Sequence, residues 1–119
     1  MTNQTEKNST AQIRALNDKF RQTFDAKLGK VIITHGVGCL NTNQLQQLLQ
    51  AVKQFSDFNE NNDPWKEHDM GKIELFDEQF YFKIDYFDRQ KYQQGIGSEE
   101  PYNVDKTFRV MTIMLASEY

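Results

Sequence analysis

Glu67, His68 and Asp69 are three consecutive titratable side chains, and with Asp63 and Lys66 they crowd residues 62–71, which also hold the only Trp, Trp65. An imidazole beside carboxylates can move protons near neutral pH, and the same groups suit zinc, manganese or iron. Asp85, Asp88, His35 and Arg109 are the further residues that could complete such a centre. The spacing argues against a metal. Three adjacent ligands converge on one ion only if the backbone turns, and neither a His-x-His nor a His-Glu-x-x-His arrangement occurs. No metal or other cofactor is therefore expected. The catalytic alternative is a small metal-dependent or acid–base hydrolase using His68, Glu67, Asp69, Asp85 and Arg109. The architectural alternative has Asp63 capping the turn at Pro64, Trp65 plugging the core edge, and Glu67, His68 and Asp69 bonding loop amides or Arg109.

Other constellations carry less. Asp85 and Asp88, three apart, face opposite sides of a regular strand, so they resemble a glycosidase pair only if the strand ends between them. His35 and Cys39 could form a couple, but no third orienting group is evident, and a small buried thiol is the simpler expectation for Cys39. The glycines form neither a dinucleotide fingerprint nor a phosphate loop.

The elements that must position these groups follow from periodicity. Ile13, Leu16, Phe20 and Phe24 recur every three or four residues after a cap at Ser9 or Thr10, which predicts an amphipathic helix ending near Leu28-Gly29. Its outer face would carry Arg14, Asp18, Lys19 and Arg21. Residues 30–34 are mostly β-branched and read as a buried strand. Leu45, Leu48, Leu49, Val52 and Phe55 mark a second helix starting at Asn41, Thr42 or Asn43. It must stop before the polar run ahead of Pro64, leaving a loop of a length that tends to be functional or disordered. Residues 72–76 and 80–86 then alternate as a hairpin turning at Asp77-Glu78-Gln79, with Phe80, Phe82, Ile84 and Tyr86 toward the helices. Residues 88–106 lack an apolar period and read as a long, partly mobile connection, and 108–116 as a central strand. The expected fold is α+β: a mostly antiparallel sheet of about four strands with two helices on one face, over residues 10–119 behind a disordered tail at 1–9.

The chain has 119 residues, enough for one domain with a real core. One cysteine allows no internal disulfide, and the sequence holds no long apolar run or secretion leader, so a soluble cytoplasmic protein without membrane contact is expected. The net charge of −3 is unevenly spread. Residues 1–55 carry +4, residues 56–105 carry −8 and residues 106–119 carry +1. An acidic middle repels phosphate backbones, so direct nucleic-acid contact through it is not expected, whereas a protein partner with a basic surface fits.

Residues 17–21, 62–71, 83–88, 97–101 and 109–119, in this order, resemble a bacterial family catalogued as domain of unknown function thirty-seven sixty-eight. The resemblance spans about residue 13 onward and implies a setting on plasmids and prophages, without an assigned activity. Together these readings favour a small acidic, non-enzymatic protein-binding module. One use is a mobile-element inhibitor of a host nucleic-acid-handling defence complex, of anti-CRISPR or anti-restriction type. Its contact residues would be Asp57, Glu60, Asp63, Trp65, Glu67, Asp69, Tyr92, Glu99, Glu100 and Tyr102, with Tyr81 and Phe87 as further aromatic anchors. The oligomeric state is left open.

Overall fold

The computed structural model describes residues 2–119, with side chains from residue 9 onward. The order is α1 Thr2–Thr23, β1 Gly29–Ile33, the single turn α2 His35–Gly38, α3 Thr42–Gln54, β2 Met70–Leu75, β3 Glu78–Asp88 and β4 Thr107–Leu115. Short 3-10 turns follow at Tyr92–Gln94 and Ala116–Glu118. The strands form one sheet in the order β1-β4-β3-β2. This is the expected α+β arrangement with one difference: β1 runs parallel to β4, so the sheet is mixed. The long return through α3 and the hairpin brings β4 alongside β1 in the same direction.

Each element follows from local chemistry, with several shifted boundaries. Helix α1 extends N-terminal to the Ser9–Thr10 cap, and it closes at Thr23 rather than at Gly29. Phe24 takes the left-handed conformation there, with φ 56°, and donates its N–H to Phe20 O at 2.7 Å. The expected disorder of residues 1–9 falls largely outside the described side chains. Asn41 caps α3 through a reciprocal box with Gln44. The hairpin turns at Phe76-Asp77, not at Asp77-Glu78-Gln79, because Leu75 pairs directly with Glu78. Both turn residues have positive φ, as a two-residue turn matched to strand twist demands.

The core lies between the helices and one sheet face. Phe80, Phe82, Ile84, Met111 and Ile113 pack there against Phe20, Leu48 and Val52. As expected, β4 is central. The burial expected for β1 fails: it is an edge strand, and Ile32 and Ile33 are each 42% exposed. Its approach to β4 requires glycine at its start, since a Cβ on Gly29 would lie 1.9 Å from the Arg109 carbonyl oxygen. The opposite sheet face bears Tyr81, Lys83, Asp85 and Phe87 of β3 beside Phe108, Val110, Thr112 and Met114 of β4. No α-helix covers this face among the described residues, but Tyr92 and Tyr119 pack over its ends, and Val110 and Met114 are 8% and 6% exposed. Strands β1, β2 and β4 begin, and β3 ends, at one end of the sheet. Residues 55–69 and 89–106 therefore both lie toward that end.

Candidate functional site

The loop 55–69 is built around one buried carboxylate. Asp63, 6% exposed, accepts the backbone N–H groups of Glu67 and His68 at 3.1 and 3.2 Å. Lys66 and His68 adopt positive φ of 60° and 57° to make that turn, a conformation costing non-glycine residues about 1 kcal/mol each. The His68 ring lies flat on Phe58, with centroids 3.8 Å apart at 4°. Its Nδ1 is 2.8 Å from Asp18 Oδ1, and its Nε2 is 3.6 Å from Asp63 Oδ2. Asp18 also pairs with Arg21 at 2.9 Å, and Arg14 donates to Lys66 O at 3.1 Å. Loop and helix α1 are thus cross-linked. An open groove of about 300 Å³ lies beside His68, lined by Arg14, Phe58, Glu60, Asp63 and Lys66 among others.

A second polar cluster sits inside. Arg109 is fully buried; its Nε donates to Asn17 Oδ1 at 2.7 Å and its Nη2 to Pro101 O at 2.6 Å. Its guanidinium lies 5.2 Å from the Tyr86 ring centroid, while Nη1 has no partner. Asn17, also fully buried, donates through Nδ2 to Glu67 O at 3.0 Å and Tyr86 Oη at 2.7 Å. Tyr86 in turn donates to Glu67 Oε1 at 2.8 Å. Burial first, and then Glu67, hold the Tyr86 hydroxyl protonated far above its usual range, against the Asn17 hydrogen bond. Burial also lowers the Arg109 guanidinium from its ordinary value. The Asp69 carboxyl is raised, by burial first and then by Glu67. Asn17 therefore joins α1, β3, β4 and loop 55–69 at one point, and Arg109 extends the network to Pro101 in the second loop.

This arrangement divides the expected catalytic set. His68 faces the groove, but Glu67 is bound to Tyr86 and Arg109 is sealed in the interior. Asp85 lies on the open face, paired with Lys83 at 3.4 Å. Strand β3 continues through Asp88, so Asp85 and Asp88 point to opposite faces and form no glycosidase pair. The two His68 nitrogens face carboxylates, Nδ1 that of Asp18 and Nε2 that of Asp63. Among the described residues no cluster of three or more metal-ligating side chains forms. Cys39 is exposed, not buried, with Sγ 3.7 Å from His35 Nε2. A single-turn helix ending at Gly38 leaves that residue outside the core.

The expected contact residues also separate. Asp57, Glu60 and Glu99 are exposed, and Trp65 is 78% exposed, so it does not plug the core edge. The Asp63 cap folds the chain back under Trp65 and leaves the indole at the tip. Tyr102 is 39% exposed beside Glu100, which pairs with Lys106 at 3.8 Å. Tyr92 stacks on Phe108 with centroids 4.5 Å apart. Asp63, Glu67 and Asp69 are tied into the loop or interior. Asn17, Asp18, Arg21 and Tyr86 were not anticipated as site residues. A signal existed for Asn17: it falls four residues after Ile13 and three before Phe20, on the apolar stripe. Arg21, expected outside, is 2% exposed and lies 5.1 Å from the Phe58 ring centroid.

Fold and site define a two-layer α+β domain with an open sheet face and one polar, loop-built end. The chain belongs to the DUF3768 family, described as "Protein of unknown function", whose model matches residues 33–118. The match begins after α1, which supplies Asn17, Asp18 and Arg21. No curated protein and no solved structure matches the chain. Among the described residues no helix is long and apolar enough to cross a membrane.

Proposed function

We propose that this protein is a non-enzymatic protein-binding module that docks through the loop-built end of its sheet. The observation that carries this reading is Trp65. Three polar side chains of its loop are engaged inwardly, Asp63 on backbone amides, His68 on Asp18 and Glu67 on Tyr86, while the indole is 78% exposed. An aromatic side chain held out on an internally braced loop loses little entropy on binding and suits a hot-spot anchor. Asp57 and Glu60 are exposed on the same loop and Glu99 on the loop at the same end, so a partner with a basic surface is favoured electrostatically. A basic surface that ordinarily takes phosphates, as in a nucleic-acid-handling defence complex, is the use this chemistry fits.

The test is affinity capture from the native host, read by mass spectrometry, with wild type, Trp65→Ala and Asp57→Lys/Glu60→Lys. A partner captured by the wild type and lost by both variants supports the reading. Equal capture by all three refutes it. The groove beside His68, whose Nδ1 is 2.8 Å from Asp18 Oδ1, favours hydrolysis as a second reading. Hydrolysis of model esters or phosphodiesters abolished by His68→Gln, with folding retained, would establish it.

A further inference from the structure

We propose that the open sheet face is a binding platform for single-stranded nucleic acid. The −8 block argues against such contact for the chain as a whole, but the fold sorts the charges. Its loop carboxylates gather at the end of the sheet, while Lys72 and Lys83 from the same block join Lys30 on the open face. Register places these lysines among aromatic rings. Phe87 and Phe108 are cross-strand neighbours at one end of the face, and Tyr81 sits opposite Met114 at the other. Between them Ile32, Thr112, Lys83 and Met70 form one row across all four strands.

The two aromatic groups each carry a cation. Tyr92 stacks on Phe108, with Lys30 Nζ 5.4 Å from the Tyr92 centroid. Tyr119 meets Tyr81 edge-on at 5.6 Å, with Lys83 Nζ 5.9 Å from the Tyr119 centroid. Phe87 and Tyr81, six residues apart on β3, are separated by roughly 20 Å at about 3.4 Å per residue. An extended strand of a few nucleotides spans that distance, with bases on the rings and phosphates on the lysines. Stacking platforms interleaved with lysines bind single strands with little sequence preference, because every base has a π-face. A duplex hides those faces. Only Glu74 and Asp85 oppose the three lysines on the strands, each within salt-bridge distance of one of them.

The experiment is fluorescence anisotropy with a short fluorescein-labelled oligothymidine and, in parallel, a labelled duplex, across a salt series. The expected result is single-strand binding with a Kd of about 1–100 µM at low salt and weaker binding to the duplex. Tyr81→Ala should weaken single-strand binding at least about fivefold, whereas Tyr81→Phe, which keeps the ring, should retain it. Lys30→Gln/Lys83→Gln should reduce the slope of log K against log salt by about 1.4, two phosphate contacts at about 0.7 each. Trp65→Ala should bind normally, which separates this face from the protein-docking end. No binding up to about 100 µM, equal affinity for duplex, or an equal loss in Lys19→Gln on α1 would overturn the proposal. A dimer in ultracentrifugation that Tyr81→Ala dissolves would overturn it too, by assigning the face to a second copy.

Discussion

Replacing Asn17 with Ala should be among the most damaging single changes in this protein, and a double-mutant cycle with Arg109 tests why. Asn17, itself fully buried, makes three hydrogen bonds: two donated, to Glu67 O and Tyr86 Oη, and one accepted from Arg109 Nε. The neutral pair contributes about 1 kcal/mol each, and the bond to a charged donor about 2 kcal/mol. Asn17→Ala should therefore cost about 4 kcal/mol, a large share of the roughly 5–15 kcal/mol that holds a domain folded. Half of that cost is assigned to a guanidinium left buried without its acceptor. In an Arg109→Met background no such charge remains, so the same Asn17→Ala change should cost only about 2 kcal/mol. Urea denaturation followed by far-ultraviolet circular dichroism measures all four proteins. Trp65 fluorescence is a poor probe, since the indole is already exposed in the folded state. The expected coupling is about 2 kcal/mol; additivity within about 0.5 kcal/mol would refute the account of Arg109 as a charge dependent on Asn17.

Asp69 gives a pH test. Its carboxyl is held above the ordinary 3.8, so ionising it costs folded-state stability. That cost is absent below pH 3.8 and grows as pH rises through the raised value, so Asp69→Asn should stabilise the protein at pH 7 and match wild type in acid. Thermal melts across that range decide it; a constant difference would contradict the assignment. Glu118 behaves oppositely: bonds from Thr34 first, then the Leu115 and Gly36 amides, hold it below 4.5. Its contribution is present above pH 4.5 and lost as pH falls through the depressed value, so Glu118→Gln should speed amide exchange at Gly36 and Leu115 at neutral pH by NMR, with the difference closing in acid. At the hairpin, Asp77 has φ 58°, so Asp77→Gly should raise stability by about 0.5–1 kcal/mol in urea melts. A loss would show that the Asp77 side chain contributes more than its backbone strain costs.

Local periodicity made both main helices, the hairpin and the central β4 readable, because each depends on residues within a few positions of one another. Leu48 and Val52 emerge with no exposure, as their spacing required. Residues 62–71 were recognisable as a special junction by density of polar groups alone. Other features depend on partners distant in sequence. The parallel pairing of β1 with β4 joins Gly29 to Arg109, and nothing near either residue encodes that choice. The burial of Arg21 and Arg109 is likewise a tertiary result: a guanidinium is tolerated inside only where Asp18, or Asn17 with the Pro101 carbonyl, receives it. Trp65 shows the same limit from the other side. Its hydrophobicity predicted a core plug, but the Asp63 cap directs the chain so that the indole faces water. What the sequence determined by itself was the inventory of elements and the charge of each segment. Only the tertiary structure decided which charges share a surface, because strand order places residues 55–69 and 89–106 toward one end of the sheet and sets the lysines of β1, β2 and β3 on the opposite face from the helices.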